Sequence, residues 1–402
     1  MTEDTKQRVA DRIERIEEPA TLKMAQLSRE LRAKGIDVVD LSLGEPDFDT
    51  PQHIKDAAKK AIDENWTHYT PVPGLLTLRE AICRKFKRDN NLDYTPDQIV
   101  VSTGAKQSIA NAVLSLVNEG DEVIIPAPYW VSYTSMVQMA RGEKIMIPSG
   151  IETNFKITPA QLEEKITEKT RLFIFSSPCN PTGTFYTKDE LEGFAKVFQR
   201  HPQVIVISDE IYEYINYEDK HASIAGFEGM KERTVTVNGM SKGYAMTGWR
   251  IGYIGAPAWI AKACTKLQGQ WTSGTSSVSQ KAAEAALDGD MKPTHAMQKS
   301  FEQRREFMKR ELSAMEGIKV NNPGGAFYFF PDVSAYFGKS FGEIKINTAN
   351  DLSMYLLNTA HVAVVDGAAF GGEKNLRISY ANSEKNLAEG LKRFREALGK
   401  LN

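Results

Sequence analysis

Val204-Ile205-Val206-Ile207-Ser208-Asp209-Glu210-Ile211-Tyr212 is the stretch on which the fold turns. Four β-branched residues in a row, with nothing polar between them, read as a strand covered on both faces, as in a parallel sheet held between layers of helix. Open parallel sheets place their ligands at the carboxyl ends of the strands. Asp209 stands at such an end and is a candidate site residue.

Thirty residues on, Val235-Thr236-Val237 and Ile251-Gly252-Tyr253-Ile254 read as two more strands. Between them lies Asn238-Gly239-Met240-Ser241-Lys242-Gly243-Tyr244-Ala245-Met246-Thr247-Gly248-Trp249-Arg250, a loop presenting Lys242. A lysine amine, once deprotonated, forms a Schiff base with a carbonyl. Ser241 and Arg250 add a hydroxyl and a fixed cation suited to a phosphate. The plain alternative is a solvated lysine in a polar loop. Asp209 shifts the balance, because a carboxylate there can pair with a pyridinium nitrogen and let the ring act as an electron sink. The combination points to pyridoxal 5'-phosphate.

The strands Ile99 to Val101, Glu122 to Ile125, Lys144 to Ile147, Leu172 to Phe175, Val204 to Ile207, Val235 to Val237 and Arg250 to Ile254 alternate with helices. That alternation predicts an α/β fold: a large domain with a mainly parallel seven-stranded sheet flanked by helices. Ser102-Thr103-Gly104-Ala105-Lys106-Gln107 lies between a strand and the helix predicted from Ser108 to Val117. Free amides there can hold a phosphate, or the stretch is an ordinary capped turn. Trp130, in Pro126-Ala127-Pro128-Tyr129-Trp130, can stack on a planar ring or fill core. Asn180, in Ser176-Ser177-Pro178-Cys179-Asn180-Pro181-Thr182-Gly183, and Tyr212 can both hydrogen-bond a phenolic oxygen.

The carboxyl-terminal part changes character. Helices are expected between Ala283 and Ala314, near Ala349 to Ala360 and from Glu384 to Leu398, with strands at Gly324 to Phe330, Val362 to Val365 and Leu376 to Tyr380. This is a smaller α+β domain. Helices at Ala20 to Ala33, Gln52 to Glu64 and Leu75 to Arg88 and a short strand at Val38 to Leu41 precede the sheet. The expected division is an amino-terminal segment, 1–50, packing with the small domain, a large domain, 51–289, and the small domain, 290–402. Arg377 sits on an apolar strand, where a buried guanidinium needs an anionic partner. Either an internal carboxylate or a substrate carboxylate would serve.

With 402 residues, 41% apolar and 25% charged, the chain can bury a large core, and a net charge of -2 gives no field for nucleic acid or acidic lipid. The basic cluster Arg84-Lys85-Phe86-Lys87-Arg88 has the spacing of a solvated helix face. Cys83, Cys179 and Cys264 form no paired pattern, which suits a reducing compartment, and no metal-ligand spacing is present. The charged start, Met1 to Lys6, has no apolar h-region and no stretch is long enough to span a bilayer, so a cytoplasmic protein with no membrane partner is expected.

Pro178-Cys179-Asn180-Pro181-Thr182-Gly183, Asp209-Glu210-Ile211-Tyr212, Ser241 to Gly252 and Asn375-Leu376-Arg377-Ile378-Ser379-Tyr380 together resemble fold-type I, class I aminotransferases, over essentially the whole chain from Leu41-Ser42-Leu43-Gly44-Glu45-Pro46-Asp47-Phe48 onward. Within that class the sequence is most similar to the bacterial aspartate aminotransferase subgroup Ib, some of whose members also use prephenate.

The resemblance implies roles. Lys242 would carry the cofactor and act as acid and base, Asp209 would hold the pyridine nitrogen, and Asn180 with Tyr212 the phenolic oxygen. Trp130 would stack on the ring. Gly104, Ala105, Ser241 and Arg250 would hold the phosphate, with Lys106 beside them and Tyr69 reaching over from the neighbouring subunit of a homodimer. Arg377 and the backbone of Gly44 would bind the α-carboxylate, Lys106 would serve the distal carboxylate, and Thr21 matches a position linked to prephenate. The peptide bonds Ala127-Pro128 and Asn180-Pro181 are expected to be cis. The implied activity moves an amino group between L-aspartate and 2-oxoglutarate. An aminotransferase for aromatic or other neutral amino acids, and a lyase on the same fold and cofactor, remain as alternatives. A cofactor-retaining sensor domain is a third reading, although no DNA-binding extension accompanies the sequence.

Overall fold

The computed structural model describes residues 9–14, 16, 18–218 and 220–402; the first eight residues of the expected amino-terminal segment lie outside them. Strand β1 (Val39–Asp40) stands apart from the main sheet. That sheet comprises β2 (Ile99–Thr103), β3 (Glu122–Ala127), β4 (Glu143–Pro148), β5 (Thr170–Ser176), β6 (Ile205–Asp209), β7 (Thr234–Gly239) and β8 (Ile251–Gly255). Its spatial order is β2-β8-β7-β6-β5-β3-β4, and only β8 runs antiparallel to its neighbours. All seven strands coincide with those expected.

The alternation of side chains explains the apolar run of β6. Ile205 and Ile207 pack with the helix Ala105–Leu116 on one face, while Val204 and Val206 pack with Phe194 and Phe198 of the helix Lys188–Arg200 on the other. Burying both faces requires apolar residues at every position.

One consequence of the antiparallel β8 decides the site. Because β8 runs backwards, its first residues lie beside the last of β2, with Thr103 opposite Ile251. Gly104 and Arg250, far apart in sequence, thereby become neighbours. The fit is close: a Cβ on Gly252 would collide with the backbone of Ala105, and one on Gly104 with the Arg250 guanidinium. Gly104 also has φ +84°, a conformation that side chains rarely adopt.

The carboxyl-terminal strands are β9 (Tyr328–Phe329), β10 (Ser340–Phe341), β11 (Ile344–Lys345), β12 (Val362–Ala363), β13 (Val365–Asp366) and β14 (Leu376–Ser379). β13, β14 and β9 form a three-stranded antiparallel sheet, and β12 pairs in parallel with β1. The long helices Lys292–Ser313 and Glu384–Leu398 share a core with them around Phe301, Phe327, Tyr328 and Phe394.

Several expectations are corrected here. Gly324 to Phe330 is buried, yet only Tyr328–Phe329 forms a strand, because Ala326 has φ +56° and breaks the extended run. Val362 to Val365 is two short strands that pair with different partners, β1 and β14. The helices expected between Ala283 and Ala314 are present as Ser277–Asp288, which starts earlier than expected, and Lys292–Ser313, with Pro293 in its first turn. The helix expected from Ser108 starts earlier, at Ala105, and the α-helix Ala349–Tyr355 passes into a π-turn over Leu356–Ala360. Ala127-Pro128 and Asn180-Pro181 are cis, as is Ser177-Pro178.

The basic cluster also divides. Arg84, Lys87 and Arg88 pair at the surface with Asp288, Asp93 and Asp89, but Lys85 is fully buried against Glu213. No described helix is long and apolar enough to cross a membrane. The three cysteines are free.

Candidate active site

The carboxyl ends of β5, β6 and β7 lie side by side, with Ser176 opposite Asp209 and Asp209 opposite Val237. They open onto a cavity of about 480 Å³, closed on the far side by Arg377 and Tyr328 and by the helix Ala20–Ala33. Of the residues singled out in the sequence, the cavity is lined by Thr21, Gly44, Ala105, Lys106, Trp130, Asn180, Asp209, Tyr212, Ser241, Lys242, Arg250 and Arg377. Gly104 stands just behind Ala105 as the residue preceding its helix. Tyr69 is elsewhere, 99% exposed on the surface.

Lys242 sits in the turn after β7, its amine donating to the carbonyl of Gly44. Burial, then the charge of Arg377, lower its pKa to about 8, so a useful fraction of the amine is neutral near physiological pH. Asp209 is 5% exposed and accepts hydrogen bonds from the Tyr133 hydroxyl at 2.7 Å and the Ile211 amide at 3.3 Å. Burial raises its pKa to about 6, with the Tyr133 bond opposing. A cationic N–H placed against Asp209 would restore its ionised form, which is what a protonated pyridine ring offers.

Arg377, on β14, is 2% exposed. Its Nη2 donates to the Ser42 carbonyl at 2.6 Å and its Nη1 to Asn180 Oδ1 at 3.1 Å, while Nε has no partner. The rings of Tyr328 and Phe370 cover it at 4.7 and 5.0 Å. Burial pushes its pKa down. Among the described residues no carboxylate pairs with it, so the internal salt bridge left open by the sequence is not what holds this cation. Because a guanidinium only donates, the Asn180 atom facing it is the oxygen, and the amide nitrogen is left to donate elsewhere.

Arg250, with φ +58°, turns its guanidinium back onto the Thr247 carbonyl at 2.9 Å and lies against Gly104. With the amino end of the helix Ala105–Leu116 and the Ser241 hydroxyl it makes a cradle for a dianion. Trp130 does both things considered for it: it lines the cavity and meets Tyr133 edge to face at 5.4 Å at the margin of the core. Lys106 Nζ lies 5.1 Å from the Trp130 ring centre, and burial, then Arg250, lower its pKa. The Tyr212 hydroxyl meets that of Tyr328 at 2.8 Å. A phosphate cradle, a buried carboxylate and a poised amine in one cavity fit pyridoxal 5'-phosphate.

Sequence reasoning missed Tyr133, Tyr328, Ser42, Glu45 and Arg29, all of which line the cavity. Tyr133 carried a signal, three residues after Trp130 and so on the same side of a helical turn. Tyr328, inside an apolar run, carried none.

On the opposite side of the turn that bears Asp209, the side chains of Glu210, Glu213 and His221 bring ligand atoms within 4.8 Å of one another. Lys85 donates into this group and Asn90 binds both Lys85 and Glu213, so an ammonium stands where a metal cation would.

A model of the family described as aminotransferase class I and II matches residues 36–394. A bifunctional aspartate aminotransferase and glutamate/aspartate-prephenate aminotransferase of Petunia hybrida is 47% identical, over 97% of this chain and 82% of its own. An aspartate/prephenate aminotransferase of Cereibacter sphaeroides is 46% identical, over 96% and 97%. The crystal structure of the aspartate aminotransferase from Rhizobium meliloti superposes with a TM-score of 0.95 at 42% identity, covering 98% of this chain and 99% of that one.

Proposed function

The chain belongs to the class I and II aminotransferases, and from that membership we propose that it transfers the amino group of L-aspartate to 2-oxoglutarate, giving oxaloacetate and L-glutamate. The observation that carries this reading is Arg377, a buried cation with no carboxylate partner among the described residues, facing the same cavity as Lys242 and Asp209. Prephenate is a second acceptor, favoured by Thr21 and Lys106 lining one cavity and by the names of the relatives.

Bound pyridoxal 5'-phosphate supplies an aldehyde carbon and a ring that draws electrons from the carbon losing its proton. The chain supplies the rest. Arg250, Ser241 and the amides at Gly104 and Ala105 hold the phosphate, Asp209 holds the ring nitrogen in its protonated form, and Trp130 covers the ring. Asn180 and Tyr212 donate to the phenolic oxygen. Arg377 has about three of its five N–H donors left for the α-carboxylate after Ser42 and Asn180, and the Gly44 backbone lies beside it. Lys106 receives the distal carboxylate. The Lys242 amine takes the proton from the substrate Cα and would pass one on to the cofactor, and in the reverse half-reaction it returns a proton to Cα.

We also propose the division into 1–50, 51–289 and 290–402, supported by the pairing of β1 with β12 across the first and third parts. The exposed Tyr69 reaches the cofactor phosphate of a partner subunit in a homodimer, and the protein works in the cytoplasm. The test is a single turnover of the purified holoenzyme with L-aspartate. One equivalent of oxaloacetate should appear, the enzyme should keep the nitrogen, and 2-oxoglutarate should then release it as glutamate with ping-pong kinetics. L-Alanine with carbon dioxide, and no nitrogen kept by the enzyme, would mean a lyase instead. Lys242→Ala should remove the reaction.

A further inference from the structure

Five cations line the cavity against two carboxylates, Glu45 and Asp209. Three of the five, Lys242, Arg250 and Arg377, each donate to a backbone carbonyl. The other two, Lys106 and Arg29, have neither a carboxylate nor a hydrogen-bond acceptor among the described residues; Lys106 meets only the Trp130 ring. Lys106 already has a role in the reading above, whereas Arg29 has none.

We propose that Arg29 is a second cation for the distal carboxylate of a dicarboxylic substrate. The proposal rests on the aspartate aminotransferase reading and adds a residue to it. Thr21, Ala25 and Arg29 are spaced four apart on the helix Ala20–Ala33 and present one face to the cavity. Met24, Leu27 and Leu31 turn the other way, into a small core with Val38 and Leu357. Neighbouring polar side chains of the helix are engaged elsewhere: Arg32 donates to the Val38 carbonyl at 2.8 Å, and Glu30 accepts from Gln26 at 2.9 Å.

Helical side chains lean toward the amino end of their helix, so the Arg29 stem runs back over residue 25 toward Thr21. Residue 25 is alanine, which leaves that path open. The substrates supply the reason for a second cation. Aspartate and 2-oxoglutarate differ by one methylene, and with the α-carboxylate fixed on Arg377 their distal carboxylates fall at two depths. Both cations are exposed and long; Lys106, against the Trp130 ring, serves one depth, and Arg29, on the helix that closes the cavity, follows the other.

The test uses the holoenzyme and the variants Arg29→Ala and Arg29→Lys in single-turnover half-reactions with aspartate and phenylalanine. Arg29→Ala should lower the aspartate-to-phenylalanine ratio of second-order rate constants by about tenfold, and Arg29→Lys should recover to within about threefold of wild type. The dissociation constant of succinate, a dicarboxylate with no amino or keto group, should rise in Arg29→Ala by a similar factor, with the effect shrinking in high salt. A ratio and a succinate affinity that both stay within about twofold in Arg29→Ala would overturn the assignment. A wild-type enzyme inert toward aspartate would instead overturn the functional reading itself, whatever the variants do. Arg29 is exposed, so its variants should keep the wild-type melting midpoint.

Discussion

The turn from Asp209 to Glu213 has charge on both sides, and the two sides treat it differently. Toward the cavity, the buried Arg377 and the half-buried Lys242 are cations that find only carbonyl oxygens among the described residues. Behind the turn, Lys85 pairs with Glu213, and Glu210 accepts from Ser208 at 2.8 Å, Ser223 at 2.6 Å and His221 at 2.9 Å. Burial opposes a charge on His221, but the neighbouring Glu210 and Glu213 carboxylates raise its pKa above the ordinary value. With His221 protonated, the rear group of two glutamates, one lysine and one histidine is neutral. Buried charge balanced inside the protein is architecture; buried charge left unbalanced waits for an anion from outside.

The difference can be broken from either side. The largest effect on folding should come from the rear. Lys85→Met strands the Glu213 carboxylate and should cost about 3–5 kcal/mol, read from the midpoint of denaturant unfolding, and a further Glu213→Met should recover much of that loss. A single-variant cost below about 1 kcal/mol would show that the pair does not hold the turn. In front, Arg377→Met should cost about 2–4 kcal/mol in kcat/KM for aspartate, since a charge-assisted grip on the α-carboxylate is lost. Its stability should change by less than about 1.5 kcal/mol, because no internal ion pair is broken. A large stability loss with an intact KM would reverse the assignment of the two sides.

The smallest effect is in pH. In the cofactor-free protein only the neutral Lys242 amine can capture pyridoxal 5'-phosphate. The capture rate should therefore climb with pH and level off above the amine's pKa of about 8. The Arg377 charge disfavours a proton on Lys242, so Arg377→Met should let the amine hold its proton longer and move the inflection to higher pH. An inflection that stays in place would mean the two cations do not sense each other across the cavity.

Much of this was legible in the chain. Runs such as Val204 to Ile207 identify strands buried on both faces, and polar residues that follow such runs, Asn180, Asp209 and Lys242, fall where a parallel sheet places its ligands. Lys85 was misread because it sits among solvated neighbours. Its helix spacing is that of a surface residue, and only Glu213, 128 positions away in sequence, makes its burial tolerable. Arg29 and Tyr328 were missed for related reasons: an arginine on a charged helix and a tyrosine in an apolar run look ordinary until something opposite them is known.

The sequence by itself determined the layered α/β architecture, the strand ends and the chemical types gathered there, because periodicity and punctuation are local properties of the chain. The tertiary structure alone decided which charges are satisfied. The reversed β8 sets Arg250 against Gly104, β14 sends Arg377 into the cavity beside Asn180, and Lys85 is folded back onto Glu213. Whether a buried charge has a partner depends on distances between segments far apart in the chain, and no local pattern records them.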